Sequence, residues 1–296
     1  MLKLLSPAKL NLTLKILGKR PDGFHELETL FERIDLVDEI TFKPAPEGIH
    51  ISCDHPDVPC DERNLVFKGA RLLQEGEHVT HGARIHIKKR IPVAAGLAGG
   101  SSNGATAIRG LDQLWGLKLS RAKRVAYAKK LGSDVAFFLY DTPWAVGLGR
   151  GEKIKPVTIK PQYWHVLITP SVPVLTKDVY GHYAGTHKAQ IRPKRGGDFG
   201  LTKLSDDVII LIRSLRKMDF YGVGKGLSND LSPSMLALRP RLAELQQKLQ
   251  KQDVRGVSFS GSGPSIFAIT ETRAQAERVK KVFALVYSQV FIVQTL

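Results

Sequence analysis

The sequence predicts an α+β protein of two domains, and three observations carry that reading. Period-two alternation dominates the first half, whereas strand and helix patterns mix in the second. A polar stretch flanked by Pro156 and Pro161 interrupts the 296 residues near 155–162. A glycine-rich turn at 96–100 stands between a strand pattern and a helix pattern. The expected domains are 1–160 and 161–296, both within the size range of a single core.

In chain order, residues 9–16 alternate, with Leu10, Leu12, Leu14 and Ile16 on one face of a strand. Pro21-Asp22-Gly23 makes a turn, and 26–34 is the return strand. Residues 64–73 have a helical pattern. Ile85 and Ile87 alternate with Arg84, His86 and Lys88, which reads as a strand leading to the glycines. Beyond them Ala105, Ile108, Leu111 and Leu114 have helical spacing, with Gly116 as the stop. A helix at 120–131 takes Ser120 as cap and Gly132 as stop, and an apolar run at 137–139 follows a Gly-Ser-Asp turn. In the second half, 184–202 is rich in Gly, Lys and Arg without periodicity and is expected to be a mobile loop. Helices at 206–215 and 240–249 follow, then strands at 257–260 and 265–270, a helix at 272–285 and a strand at 290–293. No internal repeat is evident.

An apolar share of 43% is that of an ordinary globular protein. Cys53 and Cys60 are too few for a disulfide framework or a metal cluster, which fits a reducing compartment. No apolar run approaches the ~20 residues of a membrane span. The start is broken early by Pro7 and does not read as a signal peptide, so the expectation is a cytoplasmic protein with no membrane partner. The net charge of +16 raises the question of nucleic acid. The basic residues are dispersed, however, at 88–90, 129–130, 192–195 and 248–251, and no aromatic residues alternate with them. A solvated basic surface that attracts small polyanions is the preferred reading.

Chemistry concentrates at 90–103, Arg-Ile-Pro-Val-Ala-Ala-Gly-Leu-Ala-Gly-Gly-Ser-Ser-Asn. Glycines let backbone approach phosphate closely, and the N–H groups of a first helical turn point toward it. Ser101 and Ser102 add hydroxyls. A tight turn with a serine cap would need fewer glycines, so the segment reads as a nucleotide-phosphate loop. It is not a P-loop, which needs Lys-Ser or Lys-Thr after its last glycine, and the dinucleotide spacing also fails.

The order Pro92-x-x-x-Gly96-Leu97-x-x-x-Ser101-Ser102 resembles the central motif of the GHMP kinases. Four more segments carry the resemblance: Ser-Pro-Ala-Lys-Leu-Asn-Leu at 6–12, Arg-Pro-Asp-Gly-Phe-His-Glu-Leu at 20–27, Gly-Ser-Asp-Val-Ala-Phe-Phe at 132–138, and the glycine turn at 257–267. Segments 147–152, 176–180 and 228–231 are also similar to family segments. Taken singly, several of these read as ordinary alternation, caps or a hairpin; five in order are specific. The resemblance, from Ser6 to about Ile269, implies an N-terminal ATP-binding domain of ribosomal-protein-like fold and a C-terminal α/β sandwich of ferredoxin type.

The resemblance further implies ATP with Mg²⁺, metal ligands unassigned. Lys9 and Asp134 correspond to a catalytic pair. Asn64, Leu65, Pro92, Gly96, Leu97, Ala98, Gly99, Gly100, Ser101, Ser102 and Asn103 correspond to the ATP site. Asn11, Phe24, His25, Tyr180, Gly261 and Ser262 correspond to the substrate site. The Asp-Gly-Phe-His segment favours the branch that phosphorylates a cytidyl diphosphate alcohol in non-mevalonate isoprenoid synthesis. There Phe24 and Tyr180 would stack on cytosine and His25 would read its edge, in a pocket bridging the two domains. Three departures stand out: Phe24 where Tyr is frequent, Ala98 where Gly is frequent, and Asn103 where Asp is common. A homoserine- or mevalonate-type kinase and a basic nucleic-acid-binding protein stand as alternatives. The oligomeric state is left between monomer and weak dimer.

Overall fold

The computed structural model describes residues 1–187 and 204–296. They form two compact units, and each is assembled from several stretches of chain. The first comprises Met1–Ala8, Leu36–Val93 and Ala98–Asp141; the second comprises Lys9–Asp35, Ala94–Leu97 and Thr142–Leu296. The strands β1 (Leu2–Lys19) and β2 (His25–Ala45) contribute residues to both.

In the first unit, β3 (Ile49–Cys53) is followed by α1 (Leu65–Glu77) and β4 (Gly82–Lys88). β4 runs parallel to β3 and antiparallel to the later part of β2, pairing Ile87 with Ile40 and Ile85 with Phe42. Its alternation is as expected: Ile85 and Ile87 are buried, Arg84, His86 and Lys88 exposed. Helices α2 (Gly99–Leu114) and α3 (Arg121–Leu131) complete the layer, α1 packing on both. Asn64 caps α1 by accepting from the Val66 N–H at 2.9 Å. Ser120 caps α3 through the Lys123 N–H at 3.3 Å, and Gly132 ends it. The apolar stripe Val66, Ala70 and Leu73 of α1 and Ile108 and Leu111 of α2 is fully buried.

In the second unit, β5 (Trp144–Gly149) pairs antiparallel with the early part of β2, and β6 (Lys153–Pro156) pairs with β5. Then come β7 (Trp164–Ile168), α4 (Thr176–Thr186), α5 (Asp206–Lys217), α6 (Phe220–Gly226), β8 (Ser228–Asn229), α7 (Ser232–Leu238), α8 (Arg241–Gln250), β9 (Gly256–Phe259), β10 (Ile266–Thr270), α9 (Arg273–Phe283) and β11 (Val290–Gln294). A four-stranded antiparallel sheet has the order β11-β7-β10-β9. Val166, Ile168, Phe259 and Ile266 from this sheet share a core with Val179, Met235, Leu242, Leu249, Val279 and Phe283 from the helices. β10 is buried at every position, which is why its sequence is continuously apolar up to Thr270. Thr272 and Gln275 form a capping box on α9. β8 pairs parallel with β1, Thr13 opposite Ser228.

Residues 184–186, where the composition predicts the start of a loop, close helix α4 instead, because Val179 and Tyr183 of that helix are buried in the core. The remainder of that loop, save His187, lies outside the described residues. No helix among the described residues is long and apolar enough to cross a membrane.

Candidate active site

The glycine-rich segment enters α2 in the first unit. The helix begins at Gly99, two residues before the serines, and its N-cap is Ala98, with φ 54° and ψ 29° and no side-chain capping bond. Ser101 and Ser102 are therefore first-turn residues and not caps. Ala98 holds a left-handed backbone that glycine adopts without penalty, so its departure matters through conformation and not through the bulk of its methyl. Ser102 and Asn103 are buried. Ser102 Oγ accepts from Ser6 Oγ at 2.9 Å, and Asn103 Nδ2 donates to Ser6 Oγ at 2.9 Å. Gly100 is exposed, and a Cβ built there meets nothing within 4 Å among the described residues. Pro92 and Gly99 are buried, Ser101 half-buried. Asn64 is buried in its capping role, with Nδ2 donating to the Pro59 carbonyl at 2.6 Å, and Leu65 opens α1.

Asp134, also in the first unit, immediately precedes a short 3-10 helix, Val135–Leu139, whose five residues are all buried. It occupies the N-cap position but its carboxylate makes no capping bond, so local helix capping does not account for it.

The second unit gathers Lys9, Asn11, Gly96 and Gly261. Lys9 is 3% exposed. Its ammonium donates to Asn11 Oδ1 at 2.5 Å and to the Gly96 carbonyl at 2.8 Å, and its N–H donates to the Leu97 carbonyl at 3.1 Å. Asn11 is oriented by donating through Nδ2 to Thr29 Oγ1 at 2.7 Å. Gly96 has φ 76°, and a Cβ there would lie 2.2 Å from the Ser260 carbonyl oxygen. Ser260 Oγ donates to the Gly96 carbonyl at 2.9 Å, tying the two glycine turns together. Gly261 has φ 58°, and a Cβ there would lie 3.3 Å from both Lys9 Nζ and Asn11 Oδ1. Ser262 Oγ shares a hydrogen bond with Thr176 Oγ1 at 2.8 Å. Asn229 lies outside the candidate residues of the resemblance, yet its Nδ2 donates to the carbonyls of Gly261 at 2.8 Å and Phe259 at 3.0 Å. The signal for it was the Ser-Asn-Asp-Leu segment at 228–231.

The aromatic residues form a third group, again in the second unit. The turn before β2 is closed by Arg20 N–H donating to the Phe24 carbonyl at 2.8 Å, and Phe24 N–H donates to Asp22 Oδ1 at 3.1 Å. Phe24 is 53% exposed, and the Arg150 guanidinium lies 4.8 Å from its ring centroid. His25 stacks on Tyr180 at 5.2 Å and meets Tyr183 edge-on at 6.2 Å. Among the described residues, His25 Nε2 is buried without a hydrogen-bond partner. Burial, helped by Lys19, pushes the His25 imidazole below its ordinary value. Phe24, His25 and Tyr180 belong to one compact unit, whereas the sequence reading had them bridging two domains. The reason is that the start of β2 folds with the C-terminal half of the chain.

A family model described as the GHMP kinases N-terminal domain matches residues 64–142, and one described as the GHMP kinases C-terminal matches 211–289. The chain belongs to the GHMP kinase family. This GHMP kinase is 38% identical over 275 residues to the 4-diphosphocytidyl-2-C-methyl-D-erythritol kinase of Bacillus velezensis, covering 93% of this chain and 90% of that protein. Against the relative of the same name from Geobacillus kaustophilus the identity is 37%, over 100% of this chain and 97% of that protein. A crystal structure of 4-(cytidine 5'-diphospho)-2C-methyl-D-erythritol kinase superposes with a TM-score of 0.80 at 30% identity, covering 100% of both chains.

Proposed function

We propose that this GHMP kinase transfers the γ-phosphoryl group of ATP to the 2-hydroxyl of 4-diphosphocytidyl-2-C-methyl-D-erythritol, giving the 2-phosphate and ADP, in the non-mevalonate route to isopentenyl diphosphate. The observation that carries this reading is full-length similarity, in sequence and in fold, to proteins of that name. The aromatic group at Phe24, His25 and Tyr180 supports it, since a base needs a stacking surface and an edge reader.

Phosphoryl transfer needs in-line positioning and neutralisation of charge more than covalent work. The first turn of α2 would hold phosphate oxygens by its N–H groups, with the helix dipole favouring the anion. Asp134 would take the hydroxyl proton as that oxygen attacks the γ-phosphorus and ADP leaves. Lys9, whose ammonium Asn11 and the Gly96 carbonyl hold in place, would balance the developing negative charge. Asn64 and Leu65 would border the nucleoside. Phe24 and Tyr180 would stack on cytosine, His25 would read its edge, and Asn11, Gly261 and Ser262 would line the alcohol. Mg²⁺ would enter with ATP, held by phosphate oxygens and water, with no protein ligand assigned to it.

We take 1–160 as the ATP-binding segment and 161–296 as the substrate-binding segment, a division that the family-model spans 64–142 and 211–289 support. We place the enzyme in the cytoplasm; the free thiols of Cys53 and Cys60 suit that compartment.

The deciding experiment is a phosphorylation assay with ATP and the cytidyl diphosphate alcohol, the product identified by mass. A gain of one phosphate on that alcohol is expected. Transfer to homoserine or mevalonate in preference to it would replace the reading with another kinase of the family.

A further inference from the structure

Asp38 is a fully buried carboxylate, 0% exposed, that the proposed reaction leaves without a role. It lies on β2, and four donors converge on it. Lys89 Nζ and Asn103 Nδ2 reach Oδ2 at 2.6 and 2.8 Å, while the N–H groups of Arg90 and Ile91 reach Oδ1 at 2.7 and 2.8 Å. The donors come from both flanks of the glycine-rich segment. Lys89, Arg90 and Ile91 lead into it, and Asn103 lies where it has become α2. The Asn103 amide continues through Ser6 to Ser102. Lys89 also abuts the start of the helix: a Cβ on Gly99 would lie 3.0 Å from Lys89 Nζ.

We propose that Asp38 is the positioning residue of the phosphate loop. One buried carboxylate fixes the entry to the loop and the first turn of α2 together, so the N–H groups there are aimed before any nucleotide arrives. A buried ion pair adds little net stability over well-packed apolar residues. A fully satisfied network of charge-assisted hydrogen bonds, in contrast, holds its members in one orientation. The same arrangement accounts for Asn103. A carboxylate at that position would face Asp38 across 2.8 Å. Two carboxylates so close cannot both stay ionised, whereas an amide donates. The inference rests on the reading that ATP phosphates bind at the start of α2.

The test uses the full chain, titrated calorimetrically with a non-hydrolysable ATP analogue, beside both KM values and a melting curve. Asp38→Asn keeps an acceptor for Arg90 and Ile91 but turns an amide donor toward Lys89 and Asn103. It is expected to weaken the analogue roughly ten- to a hundredfold, as misplaced binding groups do, and to leave the KM of the cytidyl substrate within about twofold. Asn103→Asp should weaken the analogue similarly. The double variant, which exchanges donor and acceptor, should recover most of the affinity lost in Asn103→Asp. If Asp38→Asn does not fold, that recovery carries the test. Unchanged analogue affinity in folded Asp38→Asn overturns the inference. So does a double variant no better than Asn103→Asp, or an equal loss for both substrates that follows the melting temperature. Failure of the unaltered protein to bind the analogue would remove the ATP-loop reading itself, and this inference with it.

Discussion

Lys9 and Asp134 differ in how their surroundings account for them. The ammonium has two acceptors within its own unit, Asn11 Oδ1 and the Gly96 carbonyl, so its position is set before substrate arrives. The carboxylate stands at a helix start that it does not cap. Asp134→Ala should bind ATP, while kcat falls by ~10²–10⁴, the usual worth of a positioned base. Turnover within tenfold of the unaltered enzyme would take Asp134 out of the mechanism. Phe24 has one ring face over which Arg150 lies, so a base would take the other. Phe24→Ala and Tyr180→Ala should each raise the dissociation constant of the cytidyl substrate by roughly five- to a hundredfold, the range expected for a lost stacking contact. Phe24→Tyr should be nearly neutral. Measured ATP affinity should stay constant across the set; loss of ATP binding alone would reverse the assignment of the two nucleotides. His25 adds a pH signature. Burial, and after it Lys19, hold its pKa below the ordinary imidazole value and so favour the neutral ring over the cation. The KM of the cytidyl substrate should be constant from pH 8 through neutrality and rise on acidification, as the ring gains its proton. A KM that falls on acidification would mean instead that the imidazolium is the binding form.

At the scale of elements, the glycine turns separate packing from ligand binding. Gly96 is pinned, since a side chain would overlap the Ser260 carbonyl and the backbone is left-handed, with φ 76°. Gly100 has no neighbour among the described residues that a Cβ would touch. Gly96→Val should thus destabilise the fold by roughly 3 kcal/mol or more, from overpacking and backbone strain together. Gly100→Val should leave the melting curve in place and weaken ATP. An unfolded Gly100→Val, or a folded one with normal ATP affinity, would mean that Gly100 does not border a phosphate site. Much of this segment was legible in the sequence, because glycine density, alternation and capping are local signals. The cap at Ser120, the strands β4 and β10 and the middle of β1 were readable for the same reason. Other features depend on partners far away in the chain. β8 has two residues and exists only through its pairing with β1. Asn229 acts on carbonyls about thirty positions later. Asp38 lies beyond the return strand expected at 26–34, and what distinguishes it is its four donors. The positive φ of Ala98 left no trace in residue type, since alanine is a helix former and not a turn residue.

Over the whole molecule, the net charge of +16 is a diffuse field suited to anionic small molecules. More consequential is the way the second unit is laced from both ends of the chain. Ile34 bridges to Thr295, and Thr295 Oγ1 donates to Glu32 at 2.5 Å across a sequence separation of 263 residues. Glu32 in turn meets His165 at 2.9 Å, with both side chains fully buried. During synthesis these early residues must wait for a partner made more than 260 positions later. The second unit consequently cannot close in the order in which its segments emerge: β2 can pair with β5 once residues 144–149 appear, whereas its contacts at Glu32 and Ile34 wait for Thr295. A chain lacking 290–296 should accumulate as soluble aggregate or chaperone complex, measurable by size-exclusion chromatography, while the full chain elutes as a compact species. Compact, active truncated protein would show instead that the last strand is an ornament added after folding is done.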